Sequence, residues 1–136
     1  MRELGPWARK SQGRDAHRAF YATYITSATW FARRAQWAAE ELARTSPGPI
    51  RCKGGCGKVW RADRDDLHHF DYTRLGNEAH DDLWAMCRPC HTRIHELIES
   101  SRSWRKLPKR QANLQALAFM SAPPQRSVAN SLRDYL

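Results

Sequence analysis

Two pairs of cysteines, Cys52-x3-Cys56 and Cys87-x2-Cys90, constrain the fold of this chain more than any other feature. Thirty residues separate the pairs, and two turns that each supply two thiolates can close a tetrahedron around zinc. Two disulfides and four free buried thiols are the alternatives. Residues 1–20 lack the apolar run of a signal peptide, and cysteine pairs in a reducing compartment typically bind metal. The cysteines therefore predict one structural Zn2+.

The length and composition describe one domain that folds in water. A chain of 136 residues can form one core of moderate size, and 41% hydrophobic with 27% charged residues is typical of a globular protein. No stretch approaches the roughly 18 apolar residues of a membrane span. We therefore expect a cytoplasmic protein of a bacterium or a phage-infected host cell, without membrane contact.

The net charge of +9 is concentrated at the two ends of the chain. Residues 1–51 contain nine Lys or Arg against four Asp or Glu, and residues 100–136 contain seven against one. The segment between them contains seven against nine and is rich in His. Basic flanks predict binding to a polyanion, and the acidic centre predicts binding of a divalent cation. An ordinary solvated basic surface is the alternative.

Apolar periodicity predicts helices on both sides of the cysteine-containing segment. Trp30 and Trp37 follow helical spacing, and Ser27 is placed to cap a longer helix that follows a short first one. Pro89 and Pro108 stand where two later helices begin. The basic flanks are thus predicted to be helical.

The central segment predicts short strands and loops around metal. Apolar runs at residues 58–60 and 67–70 are typical of two short strands. We therefore expect a basic helical segment, a zinc-bound core, and a basic helix with a tail, all within one domain. Their bounds are 1–49, 50–100 and 101–136.

Five of the six histidines lie between the cysteine pairs or just after them, and four of these are candidate site residues: His68, His69, His91 and His95. The last two are four residues apart and share one face of a helix. A single histidine is usually structural, but four around a zinc-bound segment predict a second metal site.

Several linked motifs in this order resemble those of the HNH endonucleases. The resemblance covers about half of the chain, and its motifs are Tyr21-Ala22-Thr23-Tyr24-Ile25-x-Ser27-x-x-Trp30-x-x-Arg33-Arg34, Leu67-His68-His69-x-x-Tyr72-x-x-Leu75-Gly76-x-Glu78 and Asp82-Leu83-x-x-x-Cys87-x-x-Cys90-His91-x-x-x-His95. It implies a mostly helical α+β domain with a central ββα-metal (His-Me finger) motif. In that motif a hairpin carries the paired histidines, a helix carries the last ones, and zinc holds the two together.

The resemblance also implies roles for the histidines. His68, His91 and His95 would bind a catalytic divalent cation (Mg2+, Mn2+, Ni2+ or Zn2+), and His69 would be the general base. A neutral imidazole with a pKa near 6.5 can accept a proton from water at physiological pH. Adjacent strand residues point to opposite faces, so His68 and His69 both serve one phosphate only if the strand bends or ends there.

The family's Asn position is occupied here by Asp82, directly before Leu83. The resemblance implies that Asp82 accepts a hydrogen bond from the ring N–H of His69 and so orients the base. Asn77 is the alternative, but it lies 14 residues before His91. Glu78 is expected either to cap the loop or to contact metal.

The expected function is metal-dependent hydrolysis of DNA phosphodiesters to 5′-phosphate and 3′-hydroxyl ends. A zinc-stabilised DNA-binding module without catalysis and an RNA-directed nuclease are the alternatives, and a homodimer or larger assembly stays open. The basic residues expected to contact DNA phosphates are Arg33, Arg34, Arg105, Lys106, Lys109 and Arg110.

Overall fold

The computed structural model describes residues 6–121, with side chains described from residue 15 onward. The elements are α1 (Pro6–Tyr24), α2 (Ala28–Thr45), β1 (Asp66–His69), β2 (Leu83–Met86), α3 (Arg88–Ser100), α4 (Arg102–Arg105) and α5 (Lys109–Ser121). A 3₁₀ turn at His80–Asp82 leads into β2. The domain is α+β and mostly helical, which confirms the predicted fold class.

Helix α2 begins where its cap was predicted. The Ser27 hydroxyl accepts a hydrogen bond from the Trp30 N–H at 3.1 Å, which satisfies a donor at the first turn. Trp30 and Trp37 are buried on the same face of the helix. The preceding helix is not short as predicted, because α1 extends back to Pro6. Proline is well tolerated at the start of a helix, where its missing N–H is not needed.

The sheet is an antiparallel pair of four-residue strands, β1 and β2. The strand predicted at residues 67–70 corresponds to β1. The strand predicted at 58–60 is wrong, because Val59 forms only an isolated bridge with Arg51. Strand β2 was not predicted from its own residues, since all four are buried and show no polar alternation.

The hairpin separates two hydrophobic clusters. His68 pairs with Trp84 and His69 pairs with Leu83, and paired residues project from the same face of a sheet. Trp84 belongs to a cluster formed with α3 and α5, whereas Leu83 belongs to one formed with α2. The two adjacent histidines therefore face different halves of the molecule.

Helix α3 follows β2 after one residue and buries its apolar face in the core. Ile94 and Ile98 are buried against the first cluster. Helix α5 packs beside α3 through Ala112 and Ala116.

Among the described residues, no helix is both long enough and apolar enough to cross a membrane. The predicted ending of the last helix at Pro123-Pro124 and the tail lie outside the described residues.

Candidate functional site

The four cysteines converge on one point at the start of α3. Their sulfur atoms all lie within 4.8 Å of one another. The Cys52 and Cys56 Sγ atoms lie 3.7 and 3.8 Å from Cys87 Sγ. A tetrahedron with Zn–S bonds of about 2.3 Å has S···S edges of about 3.8 Å, whereas a disulfide bond is about 2.05 Å long. The cluster has the dimensions of a tetrahedral zinc site, not of two disulfides.

Glycines shape the first cysteine turn. A Cβ atom at Gly54 would lie 2.7 Å from both Cβ and Sγ of Cys90, so a side chain there would collide with a thiol. Gly55 and Gly57 have φ values of 85° and 76°, a left-handed conformation that favours glycine. The wide spacing of the first pair is therefore accommodated by backbone that only glycine adopts readily.

The surroundings of the thiols affect how readily each one loses its proton. Burial raises the pKa of Cys52, and burial together with the neighbouring thiols raises that of Cys90. At Cys56 burial also raises the pKa, but hydrogen bonds from Lys58 N–H and the other thiols lower it overall. The N–H groups of Gly54 and Cys87 each donate to Cys52 Sγ at 3.3 Å. A bound divalent cation would offset the repulsion among four adjacent thiolates.

The second cluster consists of His68, His91 and His95, each of which offers a ligand atom within 4.8 Å of the others. His91 and His95 lie one turn apart on α3, and their Nε2 atoms are 3.2 Å apart. The ring of His68 lies 5.1 Å from each of the other two rings. These are three of the residues that the resemblance implied, and the hairpin and α3 bring them together.

Polar partners orient two of these rings. The His91 Nδ1 atom lies 3.0 Å from an Asp66 carboxylate oxygen, which leaves Nε2 free to act as a ligand. The His68 Nε2 atom lies 2.7 Å from Asn113 Oδ1. Its Nδ1 atom is buried without a hydrogen-bond partner among the described residues, as a ligand atom awaiting a cation would be.

The His68 and His95 rings are suited to cation binding because they resist protonation. Burial lowers the pKa of His68 to about 3, outweighing the contact with Asn113. Burial and the neighbouring His91 lower the pKa of His95. Neutral imidazole is the form that binds metal. The donor set therefore fits a divalent cation, and three protein ligands leave positions for substrate or water.

His69 belongs to a different environment on the other face of the hairpin. Its Nε2 atom lies 2.8 Å from Glu78 Oε2, and the other carboxylate oxygen accepts a 2.8 Å hydrogen bond from the Tyr24 hydroxyl. The His69 ring is enclosed by the aromatic rings of Tyr21, Trp30 and Tyr72. Its Nδ1 atom is buried and has no hydrogen-bond partner among the described residues.

Glu78 carries the charge in this environment. Burial raises its pKa, but hydrogen bonds from His69, from its own N–H and from Tyr24 lower it below the ordinary value overall. Burial and the Glu78 carboxylate raise the pKa of Tyr24, so Tyr24 donates its proton to the contact. An ionised Glu78 accepts a hydrogen bond from the Nε2–H of His69, so Nδ1 is the ring nitrogen that remains to act as a base.

The predicted contact between Asp82 and His69 is contradicted by this arrangement. The Asp82 carboxylate instead pairs with the Arg74 guanidinium and accepts the Ala79 N–H at 2.9 Å. Asp82 is 1% exposed and is the last residue of the 3₁₀ turn before β2, so its side chain satisfies local donors. The alternative residue, Asn77, is exposed on the loop. Glu78 makes the contact that was predicted for Asp82.

The predicted phosphate-binding residues fall into two groups. Arg33 donates to the Glu78 carbonyl at 3.2 Å, and Arg34 donates to the Asp65 carbonyl at 2.8 Å. These two arginines were expected to contact DNA phosphates, but they join α2 to the loops around the hairpin. Arg110 pairs with Asp71 and lies over the Phe70 ring. The exposed members of the set are Arg105, Lys106, Lys109 and Arg110, of which Arg110 is engaged by Asp71.

Two residues of the site were missed as partners of the histidines. Asn113 was passed over because it lies on α5, outside the resembling segment. Glu78 was noted, but as a loop cap or metal contact, because nothing in its spacing pairs it with His69. Asn113 could have been identified from the sequence because it is a polar residue on an otherwise apolar face of its helix.

No model of a known protein family, no curated protein and no solved structure matches this chain. The observed arrangement is a β-hairpin followed by a helix, with a histidine cluster and a four-cysteine cluster. It is consistent with a ββα-metal motif. The function of the protein therefore has to be inferred from its own donor atoms and charges.

Proposed function

We propose that the protein is a metal-dependent DNA endonuclease of the HNH type, with a structural zinc ion at the cysteines. One observation carries the proposal: three imidazoles converge at the junction of the hairpin and α3, and the adjacent His69 is paired with an ionised carboxylate. A metal site with open positions beside a potential base is the composition that phosphodiester hydrolysis requires.

The histidine cluster would bind the scissile phosphate through a divalent cation. Such a cation supplies stabilisation of the negative charge that develops on the phosphate and on the departing 3′ oxygen. His68, His91 and His95 would supply three nitrogen ligands, and Asp66 holds the His91 ring in place. Because His95 is exposed, the cluster can be reached from solvent.

His69 would act as the general base through Nδ1. The Glu78 carboxylate fixes the proton on Nε2 and stabilises the imidazolium that forms when Nδ1 takes a proton from the attacking water. The water oxygen then bonds to phosphorus and the bond to the 3′ oxygen breaks, which leaves 5′-phosphate and 3′-hydroxyl ends. Strand β1 ends at His69, but His68 and His69 face different sides of the hairpin, so the proposal requires the phosphate to reach both side chains around the end of the strand.

Nucleic acid would lie along α4 and the start of α5. Arg105, Lys106 and Lys109 are exposed, and the charge of Lys109 acts on His95, so this side chain lies near the histidine cluster. Exposed Lys and Arg beside a metal centre are suited to holding the phosphates that flank the scissile one. Arg33 and Arg34 are omitted from this surface because their side chains bond to protein carbonyls.

One observation favours a second candidate, a zinc-stabilised nucleic-acid-binding module without catalysis. The His69 side chain is 1% exposed and is surrounded by three aromatic rings, so water must enter this pocket before His69 can act. A module that only binds would have no need of that access.

A plasmid-nicking assay with Mg2+, Mn2+ or Ni2+, run beside a labelled RNA, distinguishes these functions. The proposal predicts cation-dependent nicking that is lost in His69→Ala and His91→Ala. Salt-sensitive binding of DNA without cleavage at any of the cations would favour the binding module. Faster cleavage of the RNA than of the plasmid would assign the activity to RNA.

A further inference from the structure

One side chain outside the hairpin and α3 reaches the histidine cluster. Asn113 lies on α5 and is 2% exposed. Its amide nitrogen is 3.3 Å from the Phe70 carbonyl oxygen and 2.9 Å from the Lys109 carbonyl oxygen. Its amide oxygen is 2.7 Å from His68 Nε2.

These contacts determine which way the amide points. Two backbone carbonyls can only accept, so the Asn113 nitrogen must face them and donate both of its protons. Turning the amide over would place its oxygen against two carbonyl oxygens. The oxygen is therefore held towards His68, where it can accept but not donate.

The amide in turn determines the position of the proton on His68. Facing an acceptor, Nε2 must carry the hydrogen, and a neutral imidazole then has its lone pair on Nδ1. The His68 Nδ1 atom is buried and makes no hydrogen bond within the described residues. His91 has the opposite arrangement, because Asp66 contacts its Nδ1 and leaves Nε2 available.

We propose that Asn113 is a positioning residue that holds His68 as the Nε2–H tautomer, so that His68 presents Nδ1 to the cation of the histidine cluster. The inference rests on the proposed role of this cluster as a metal site. It makes α5 part of the metal centre, since the last helix supplies the side chain that selects the ligand atom of the hairpin histidine.

The tautomer is measured first, in the full chain with zinc at the cysteines and no other cation. Long-range 1H–15N NMR distinguishes a protonated from an unprotonated ring nitrogen, and the spectrum of His68→Gln identifies the His68 signals. The native chain is expected to show Nε2 protonated and Nδ1 unprotonated. The Asn113→Leu variant, which has a side chain of similar size without an acceptor, should lose this preference. A native His68 protonated on Nδ1 would overturn the inference.

Mn2+ affinity is measured next, by titration of the same proteins. Asn113→Leu should bind Mn2+ about 10- to 100-fold more weakly than the native chain, the usual loss when a ligand loses its supporting partner. Asn113→Gln keeps both the acceptor oxygen and the donor nitrogen and should recover part of the affinity. Ala116→Gly is the matched control, because it perturbs the same buried face of α5 without touching His68. Unchanged affinity in Asn113→Leu, or an equal loss in Ala116→Gly, would overturn the inference.

The two measurements also separate this inference from the proposed function. A native chain with the expected tautomer but without Mn2+ binding would contradict the metal site and hence the nuclease, while confirming that Asn113 sets the tautomer. Mn2+ binding with the wrong tautomer would support the metal site and contradict the role of Asn113.

Discussion

The cysteine and histidine clusters share the beginning of α3 but differ in the number of ligand atoms that the protein offers to a metal ion. Cys87 and Cys90 lie one residue before and three residues into the same helix that carries His91 and His95. The cysteine cluster has four ligands at tetrahedral spacing. The histidine cluster has three ligands, of which His95 is exposed. Four protein ligands make a structural site, whereas three leave a position for chemistry.

The groups that hydrogen-bond to the two clusters also differ. Backbone N–H groups of Gly54 and Cys87 support the thiol of Cys52, so the cysteine cluster is tied to the course of the chain itself. Side chains of Asp66 and Asn113 support the histidines. A cluster supported by backbone stabilises the fold, whereas one supported by side chains can be adjusted without rebuilding the fold. The comparison predicts that the cysteines control stability and the histidines control activity.

The largest effect is expected from Cys87→Ser. Zinc binding to such sites contributes about 10–16 kcal/mol, and a domain of this kind is stable by about 5–15 kcal/mol, so loss of the metal should unfold the chain. Elemental analysis and thermal unfolding measure both consequences. His69→Ala should retain near-stoichiometric zinc and an ordinary melting temperature. A Cys87→Ser protein with native zinc content and melting temperature would remove the distinction between the clusters.

A smaller but still large effect is expected from the histidines, on rate and not on folding. His69→Ala should cleave DNA at least about 100-fold more slowly, the usual contribution of a general base, with Mn2+ affinity little changed. His91→Ala should lose activity because the cation binds more weakly. Cleavage rates and Mn2+ titrations on both variants separate the two causes. Native cleavage by His69→Ala would refute the base assignment.

Glu78→Gln should have an intermediate effect on rate. The substitution keeps the shape of the side chain but removes the charge that stabilises the imidazolium of His69, so we expect a loss of about 10- to 100-fold, the usual scale for a supporting partner. Asp82→Asn should instead lower the melting temperature, because Asp82 pairs with Arg74 and the Ala79 N–H. Measuring rate and melting temperature for both variants, with exposed Asn77→Ala as control, shows whether Glu78 or Asp82 orients His69. A severe rate defect in Asp82→Asn at native stability would restore Asp82 as the orienting residue.

The sequence pattern correctly predicted the features whose geometry depends only on neighbouring residues. The cysteine spacing, the Ser27 cap and the histidines one turn apart on α3 each depend on a few neighbouring residues. Their geometry follows from turn and helix spacing alone. The positions of the two candidate metal clusters could therefore be located in the sequence.

The contacts of Glu78 and Arg33 and the presence of strand β2 depend on packing between distant segments, which residue spacing does not encode. Glu78 reaches His69 because Tyr24 and Arg33, about fifty residues earlier, hold the loop against α1 and α2. Arg33 looked like surface charge because helical periodicity does not indicate that a carbonyl from another segment faces it. Strand β2 is buried on both faces by segments far apart in the sequence, which removed the alternation that identifies a strand.

The smallest effect is expected in the salt dependence of DNA binding, and it tests whether the substrate lies at the histidine cluster or at the cysteine cluster. Replacing Arg105, Lys106 and Lys109 with Gln should flatten the slope of log K against log salt by about 0.9 for each phosphate contact removed. Lys53 and Lys58 provide the matched control, because both are exposed and belong to the segment that forms the first cysteine turn. Replacing them should leave the slope unchanged if that cluster only stabilises the fold. A flatter slope in the control, with a native slope in the α4–α5 variant, would move the nucleic acid to the cysteine side of the molecule. The histidines would then have to act on a substrate held at the cysteine cluster and not along α4 and α5, and the division between a structural and a catalytic cluster would fail.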